Sequence, residues 1–206
     1  MQFAPRAEDP HGYLPPKRVK DHTGTAILYH RRYYGLNDSG ASEGRVGPPC
    51  RPEVVDLKNA KRQLLACIRA EVPDERIISA ISRVPREMFV PAKSIHLAYE
   101  DKPLPIGQRQ TISQPLIVAL MIDALELRRT DRVLELGTGS GYQAALISEI
   151  ADTVISVERI RSLANYARVR LRSGGFHSVE VVDATQELGW QQGAPYDAII
   201  VAAGAP

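Results

Sequence analysis

Val133-Leu134-Glu135-Leu136-Gly137-Thr138-Gly139-Ser140-Gly141-Tyr142-Gln143-Ala144-Ala145 is the stretch whose reading decides the fold of this 206-residue chain. Val133, Leu134 and Leu136 form a short apolar run of strand type. Three glycines at alternate positions follow, where the backbone turns tightly and lies bare against a ligand. Ala144, Ala145 and Leu146 then open a helix. Its first amide groups have no partner inside the helix and point into the turn. A strand, a glycine turn and a helix N-terminus make the ligand crevice of a doubly wound α/β sheet.

The glycine spacing separates two ligands. A Gly-x-Gly-x-x-Gly dinucleotide fingerprint keeps its last glycine for close helix–strand packing. Here Gly141 comes one residue early and Tyr142 stands in the last place. Glu135 lies just before the first glycine. A carboxylate there repels a pyrophosphate and suits a ligand carrying an ammonium group. S-adenosylmethionine has that group, a sulfonium cation and no phosphate. A second acid, Glu158, ends the strand Thr153-Val154-Ile155-Ser156-Val157. It falls about 20 residues on, where a ribose reader belongs, and can accept from both ribose hydroxyls. A glycine turn alone often just joins a strand to a helix; the two acids make this one a cofactor site.

Composition narrows the class. A chain that is 44% hydrophobic and 24% charged forms one globular domain with an appendage. A net charge of +2 gives no electrostatic case for nucleic acid or a membrane surface. Cys50 and Cys67 are too few for a disulfide framework and lack metal-ligand spacing, so no metal site is expected. They read as thiols of a reducing cytosol, and a cytoplasmic location is expected. Met1 to Arg6 has no apolar signal-peptide core. The best apolar run, Leu116 to Leu125, is interrupted by Asp123 and is too short to span a membrane.

Residues 1–56 read as a Pro/Gly-rich, partly disordered extension. Pro5, Pro10, Pro15, Pro16, Pro48, Pro49 and Pro52 break any long element, and 35–44 has the composition of a flexible loop. Its scattered bases and tyrosines make a weak nucleic-acid footprint. One short strand is expected at Thr25–Tyr29. From Leu57 the pattern becomes helical, with Leu57, Leu64, Leu65 and Ile68 at helix spacing. A second helix starts near Asp74, buries Ile77, Ile78, Ile81 and Val84, and ends at Pro85. Tyr99 to Gln110, with Pro103, Pro105 and Gly107, reads as an irregular loop.

That loop runs into Thr111-Ile112-Ser113-Gln114-Pro115. Pro115 suits the first position of a helix, where its missing N–H costs nothing. Gln114, pushed out of helical geometry by that proline, takes the cap position. Ser113 then sits just outside the helix with its hydroxyl free of capping, although a cap or turn serine is the common alternative. A helix follows from Pro115 to about Leu125, and another after the glycine turn to about Ile150. A further helix buries Ile160, Leu163, Ala164, Ala167 and Leu171 and stops at Gly174-Gly175. Val179 to Val182 is a third strand ending at Asp183, an acid suited to the adenine amino group or, equally, to a helix cap. Asp197 to Ala202 is a fourth strand, apolar as a central parallel strand should be. The alternation predicts a Rossmann-like, mostly parallel sheet over 131–206, preceded by a helical part over 57–130.

Several motifs in order resemble one family. They are Arg83-Val84-Pro85-Arg86-Glu87-Met88-Phe89-Val90-Pro91, Ala98-Tyr99-Glu100-Asp101, Gln110-Thr111-Ile112-Ser113-Gln114-Pro115, the glycine stretch, Ser156-Val157-Glu158-Arg159, and Ala194-Pro195-Tyr196-Asp197-Ala198-Ile199-Ile200-Val201. Together they look like protein-L-isoaspartate O-methyltransferase, over roughly Leu57 to Pro206. The resemblance implies methyl transfer from S-adenosylmethionine to the α-carboxylate of isoaspartyl residues in damaged proteins. The ester then collapses to a succinimide that can reopen as normal aspartate. It implies Ser113 as the active-site serine, with Thr111, Ile112 and Ser113 lining the cofactor and substrate pockets. Glu135, Gly137, Thr138, Gly139, Ser140 and Gly141 would hold the methionine part, Glu158 the ribose, and Asp183 with Ala184 the adenine side. Damaged proteins or peptides are the implied partners, and a monomer is expected unless the sheet edge pairs with another chain.

Three departures from the family pattern bear on this. Gly107-Gln108-Arg109 replaces a Gly-His-Gly type of sequence, so that Arg109 stands beside the expected pocket. Val182-Asp183-Ala184 replaces Gly-Asp-Gly. The sequence stops at Ala202-Ala203-Gly204-Ala205-Pro206, before the family's next helix and strands. The last strand is therefore expected at an uncovered edge, as in a fragment, or covered by the extension or a second chain. Two other readings follow: a methyltransferase for one specific peptide or protein aspartate, and a shortened, non-catalytic methyltransferase-like domain.

Overall fold

The computed structural model describes residues 17–20, 26–29, 56–186 and 189–203. Cys50, the flexible loop expected at 35–44 and Leu188 lie outside them. The chain enters with two strands, β1 (Lys17–Lys20) and β2 (Ala26–Tyr29). Two helices follow, α1 (Leu57–Glu71) and α2 (Glu75–Arg83). Each begins at an aspartate whose side chain accepts from the first free amides, Asp56 from Lys58 and Asn59, and Asp74 from Arg76.

Next come β3 (Leu104–Gly107), β4 (Gln110–Ile112) and α3 (Pro115–Leu125). The expected irregular loop before Gln110 is therefore corrected in part, since β3 and β4 pair as an antiparallel hairpin with Leu104 opposite Ile112. Pro105 does not prevent this, because a two-stranded ribbon has an unpaired side on each strand where a missing N–H breaks no ladder. Gly107, Gln108 and Arg109 all take positive φ at the tip, 92°, 53° and 56°. α3 starts at Pro115 with Gln114 as its cap residue, as the proline dictates.

The remaining elements alternate: β5 (Arg132–Leu136), α4 (Tyr142–Ser148), β6 (Thr153–Glu158), α5 (Arg161–Ser173), β7 (Val179–Asp183) and β8 (Ala198–Val201). The main sheet has the order β1-β2-β8-β5-β6-β7. β8, β5, β6 and β7 run parallel, with β5 between β8 and β6. This is the Rossmann-like, mostly parallel α/β fold expected from the alternation of strands and helices. The outer side of β8 is not left open: β2 pairs with it in parallel, Ala26 opposite Ala198, and β1 pairs antiparallel with β2.

Side-chain alternation along the strands builds two apolar layers. Val133, Val154, Ala198 and Ile200 join the large core made with the helices, among them Ile68, Ile81, Phe89, Met121 and Leu146. Leu134, Ile155, Val157 and Val182 form a smaller cluster with Trp190 and Tyr196 packed against it. Among the described residues no helix is long and apolar enough to cross a membrane.

The turn after β5 leaves no room for a side chain at Gly137. A Cβ on Gly137 would lie 2.7 Å from the Ala203 nitrogen, at a φ of +101°. Gly175, after α5, has a φ of +82° and nothing within 4 Å of its added Cβ. Gly175→Ala is expected to cost about 1 kcal/mol of unfolding free energy from backbone strain alone, and Gly137→Ala about 1–3 kcal/mol more from the clash. Urea denaturation measures both, and equal losses would show that Ala203 gives way freely.

Candidate active site

The site forms where β5 hands over to α4. The turn is closed by backbone bonds: Gly137 and Thr138 donate to the Val157 carbonyl, and Gly141 donates to the Thr138 carbonyl. Gly137, Gly139 and Gly141 all sit at positive φ, 101°, 55° and 90°. Such values are natural for glycine and strained for other residues. Thr138 and Ser140 are buried within the turn.

Glu158, at the end of β6, holds the turn from the neighbouring strand. Its Oε2 accepts from the Gly139 amide at 2.8 Å, and its Oε1 accepts from the Ile160 amide at 2.8 Å. A carboxylate has about four lone-pair sites, so each oxygen keeps one for another donor. The residue expected to read a ribose thus also orders the backbone beside it.

Glu135 is more enclosed than its place in the sequence suggests. It is 1% exposed, and the Ser156 hydroxyl donates to its Oε2. The Ser156 and Thr138 hydroxyls are 2.6 Å apart, so a hydroxyl chain links Glu135 to the turn. Burial pushes the Glu135 carboxyl up to about 8, the Ser156 hydrogen bond opposing and the Glu158 charge adding to the rise. Ser156 was not singled out from the sequence; its one signal is a polar residue in an otherwise apolar strand.

The hairpin overhangs this turn. A Cβ on Gly139 would meet Ile106 Cδ1, from β3, at 3.5 Å. β4 then leads straight into the segment expected to carry the chemistry. Ile112 is buried, while Thr111 and Ser113 are half-buried. Ser113 lies between β4 and the cap residue of α3, and its hydroxyl is engaged by no other described residue. The hairpin therefore connects the glycine turn to Ser113.

On the other side of β6, Asp183 ends β7 and is exposed. Arg168 on α5 holds its Oδ1 at 2.9 Å, a pairing with no signal in the sequence. Ala184 donates its amide to the Glu158 carbonyl at 2.9 Å, tying the segment expected on the adenine side to the acid expected to meet the ribose. A cleft of about 310 Å³ follows, lined by Thr185, Gln186, Gly189, Trp190, Gln191 and Gln192. Trp190, the chain's single tryptophan, lines this cleft and was not singled out from the sequence.

The buried carboxyl makes stability depend on pH. An unfolded glutamate titrates near 4.3. Glu135 titrates higher when folded, so its protonated form contributes stability that is full below about pH 4 and is lost as pH rises toward 8. The unfolding free energy of the ligand-free chain is expected to fall between about pH 5 and 8. Glu135→Gln is expected to flatten that fall; parallel profiles for the two proteins would exclude Glu135 as its source.

Comparison with known proteins places this geometry. The sequence model of the protein-L-isoaspartate(D-aspartate) O-methyltransferase (PCMT) family matches residues 59–206. Protein-L-isoaspartate O-methyltransferase 2 of Pelobacter propionicus is 57% identical over 135 residues, 66% of this chain and 60% of that protein. Protein-L-isoaspartate O-methyltransferase of Methanoculleus marisnigri is 49% identical over 159 residues, 77% of this chain and 70% of that protein. The chain thus spans only part of the length of the relatives it matches. A solved protein-L-isoaspartate O-methyltransferase superposes with a TM-score of 0.65 at 29% identity, over 70% of this chain and 48% of that one. A Plasmodium falciparum chain assigned to the same activity, solved with S-adenosyl-L-homocysteine, superposes with a TM-score of 0.61. At 21% identity that second likeness speaks for the fold. By the extent of the family match, the chain belongs to the protein-L-isoaspartate(D-aspartate) O-methyltransferase family.

Proposed function

We propose that the chain binds S-adenosylmethionine at the glycine turn and methylates the α-carboxylate of isoaspartyl residues in damaged proteins and peptides. The observation that carries this reading is the hairpin, which rests Ile106 on Gly139 and leads directly to Ser113, whose hydroxyl no other described residue engages.

The donor set suits the ligand. Glu158 keeps acceptor capacity for a ribose diol, the bare backbone from Gly137 to Gly141 admits the amino-acid end, and the cleft at Trp190 offers an aromatic wall for a base. Asp183 and Ala184 border the route between them. Glu135 reaches the turn through Ser156 and Thr138, and a cationic ligand bound there favours its ionised form, which a phosphate would oppose. When bound, S-adenosylmethionine supplies an activated methyl group on its sulfonium.

The residues present match the demands of that transfer. An α-carboxylate titrates near 3.5 and is ionised at neutral pH, so no strong general base is required. What is needed is alignment, close approach and removal of water. The Ser113 hydroxyl orients the acceptor carboxylate by donating a hydrogen bond, with Thr111 and Ile112 shaping the pocket between the two substrates. Buried apolar side chains around them, Leu104, Ile112 and Ile117, keep water out.

A second reading, a narrower acceptor range, is favoured by Arg109. It is exposed at the hairpin tip in a left-handed conformation, beside the segment that would meet the acceptor. A guanidinium there selects acceptors with a further carboxylate. Equal turnover of unrelated isoaspartyl peptides would exclude it.

Calorimetric titration with S-adenosylmethionine, then addition of an isoaspartyl peptide and assay of methyl ester, tests the main reading. Ser113→Ala is expected to lower kcat about tenfold or more, with the cofactor Kd within about threefold of wild type. Glu158→Ala is expected to weaken cofactor binding about tenfold or more, since it removes both the ribose acceptor and the brace on Gly139. Cofactor binding without ester formation on any isoaspartyl peptide would overturn the acceptor assignment.

A further inference from the structure

We infer that Asp101 is the positioning residue that holds the Ser113 segment in place, acting as a cap for α3 from outside the helix. Its relevance to turnover rests on the role of Ser113 proposed above; its hold on the segment does not.

α3 cannot cap itself. Gln114, its cap residue, makes no side-chain bond to the helix, and Pro115 has no N–H. The first donor that needs a partner is the Leu116 amide. Asp101, fifteen residues earlier, fills that role: its Oδ1 accepts from Leu116 N at 2.9 Å. Its Oδ2 accepts from Gln114 Nε2 at 2.8 Å. One carboxylate thus grips the chain on both sides of Pro115, immediately after Ser113. Its negative charge also suits the N-terminal end of the helix.

The body of α3 is anchored independently. Ile117, Val118, Ala119, Met121, Ile122 and Leu125 are buried along its length. What Asp101 fixes is the way the chain enters the helix. On the other side of Ser113, Ile112 is held by its pairing with Leu104. Ser113 therefore sits between two fixed points, and both belong to the stretch from Asp101 to Leu104.

Asp101 is itself tied to the glycine-turn helix. Arg86 is fully buried, with its guanidinium 5.0 Å from the centre of the Tyr142 ring. Tyr142 is the first residue of α4. Arg86 Nη2 donates to the Lys102 carbonyl at 3.4 Å, one residue from Asp101. Burial is the largest influence on the Arg86 guanidinium and pulls its pKa down, with Tyr142 and the Asp101 charge among the groups that oppose it. Tyr142, Arg86, the 101–102 backbone and the Asp101 carboxylate thus form a connected path from the cofactor turn to the acceptor segment.

The test uses the 206-residue chain with Asp101→Ala and Asp101→Asn. Asparagine can still accept from Leu116 N and can donate to Gln114 Oε1 if the Gln114 side-chain amide turns over. Three quantities are read: amide hydrogen exchange at Leu116, the Kd for S-adenosylmethionine, and kcat/KM for an isoaspartyl peptide. Asp101→Ala is expected to speed Leu116 exchange about tenfold or more and to lower kcat/KM about tenfold or more, with exchange in α4 and the cofactor Kd within about threefold. Asp101→Asn is expected to recover most of both losses. Unchanged Leu116 exchange in Asp101→Ala would overturn the inference. So would faster exchange with unchanged kcat/KM, because Asp101 would then steady the helix without placing Ser113. If the wild-type chain makes no ester, the function proposed above fails on that result alone, and the exchange measurement still decides whether Asp101 holds the segment.

Discussion

The bond from the Gly139 amide to the Glu158 carboxylate is the constraint on which the site depends. A glycine turn is the least constrained kind of backbone, and it folds into one shape only if something outside it supplies the restraint. Glu158 does so from the adjacent parallel strand. The same side chain receives the Ile160 amide at the entry to α5, and its backbone carbonyl receives Ala184 after β7. One residue therefore sets the relative positions of the turn, the helix that follows β6 and the segment that follows β7. Burying such a carboxylate is tolerable because its oxygens are met by backbone donors. Glu135 shows the contrasting case, a buried carboxyl met by a single hydroxyl, and it responds by holding its proton to a higher pH.

Much of this architecture is local and so was legible in the residues. Strand, turn and helix around Val133–Ala145 follow from apolar runs and glycine spacing. α3 begins at Pro115 because that proline allows nothing else, and α5 ends at Gly174 as its glycines predict. Glu135 and Glu158 were reached from their places relative to those elements and Ser113 through the family resemblance, and the structure sets them around one turn and one hairpin.

What was not legible depends on contacts between distant parts of the chain. The β3–β4 hairpin was hidden by Pro105 and by a tip built on Gln108 and Arg109, residues that carry no turn signal of their own. Ser156 looks like any strand residue until Glu135 is placed next to it across the ladder. Arg168 lies on a helix of many arginines, and only the docking of α5 on β7 selects it as the partner of Asp183. Asp101 reads as a loop acid, because its two acceptors serve groups more than a dozen residues away. In each case the decisive partner is set by tertiary packing, which no spacing rule within one element reports.

The contact of Gly137 with Ala203 bears on the order in which the molecule is made. β5, β6 and β7 emerge in sequence and can pair as they appear. β8 must return to the inner side of β5, with Val133 opposite Ala198. Until that return, no wall stands against Gly137, and the Leu136 carbonyl lacks the amides of Ala202 and Ala203. A growing chain would thus display the whole glycine sequence long before that sequence had its final shape. Sites that depend on such sequence-distant pairing are completed late, and here the completing residues are synthesised some sixty positions after the turn they close.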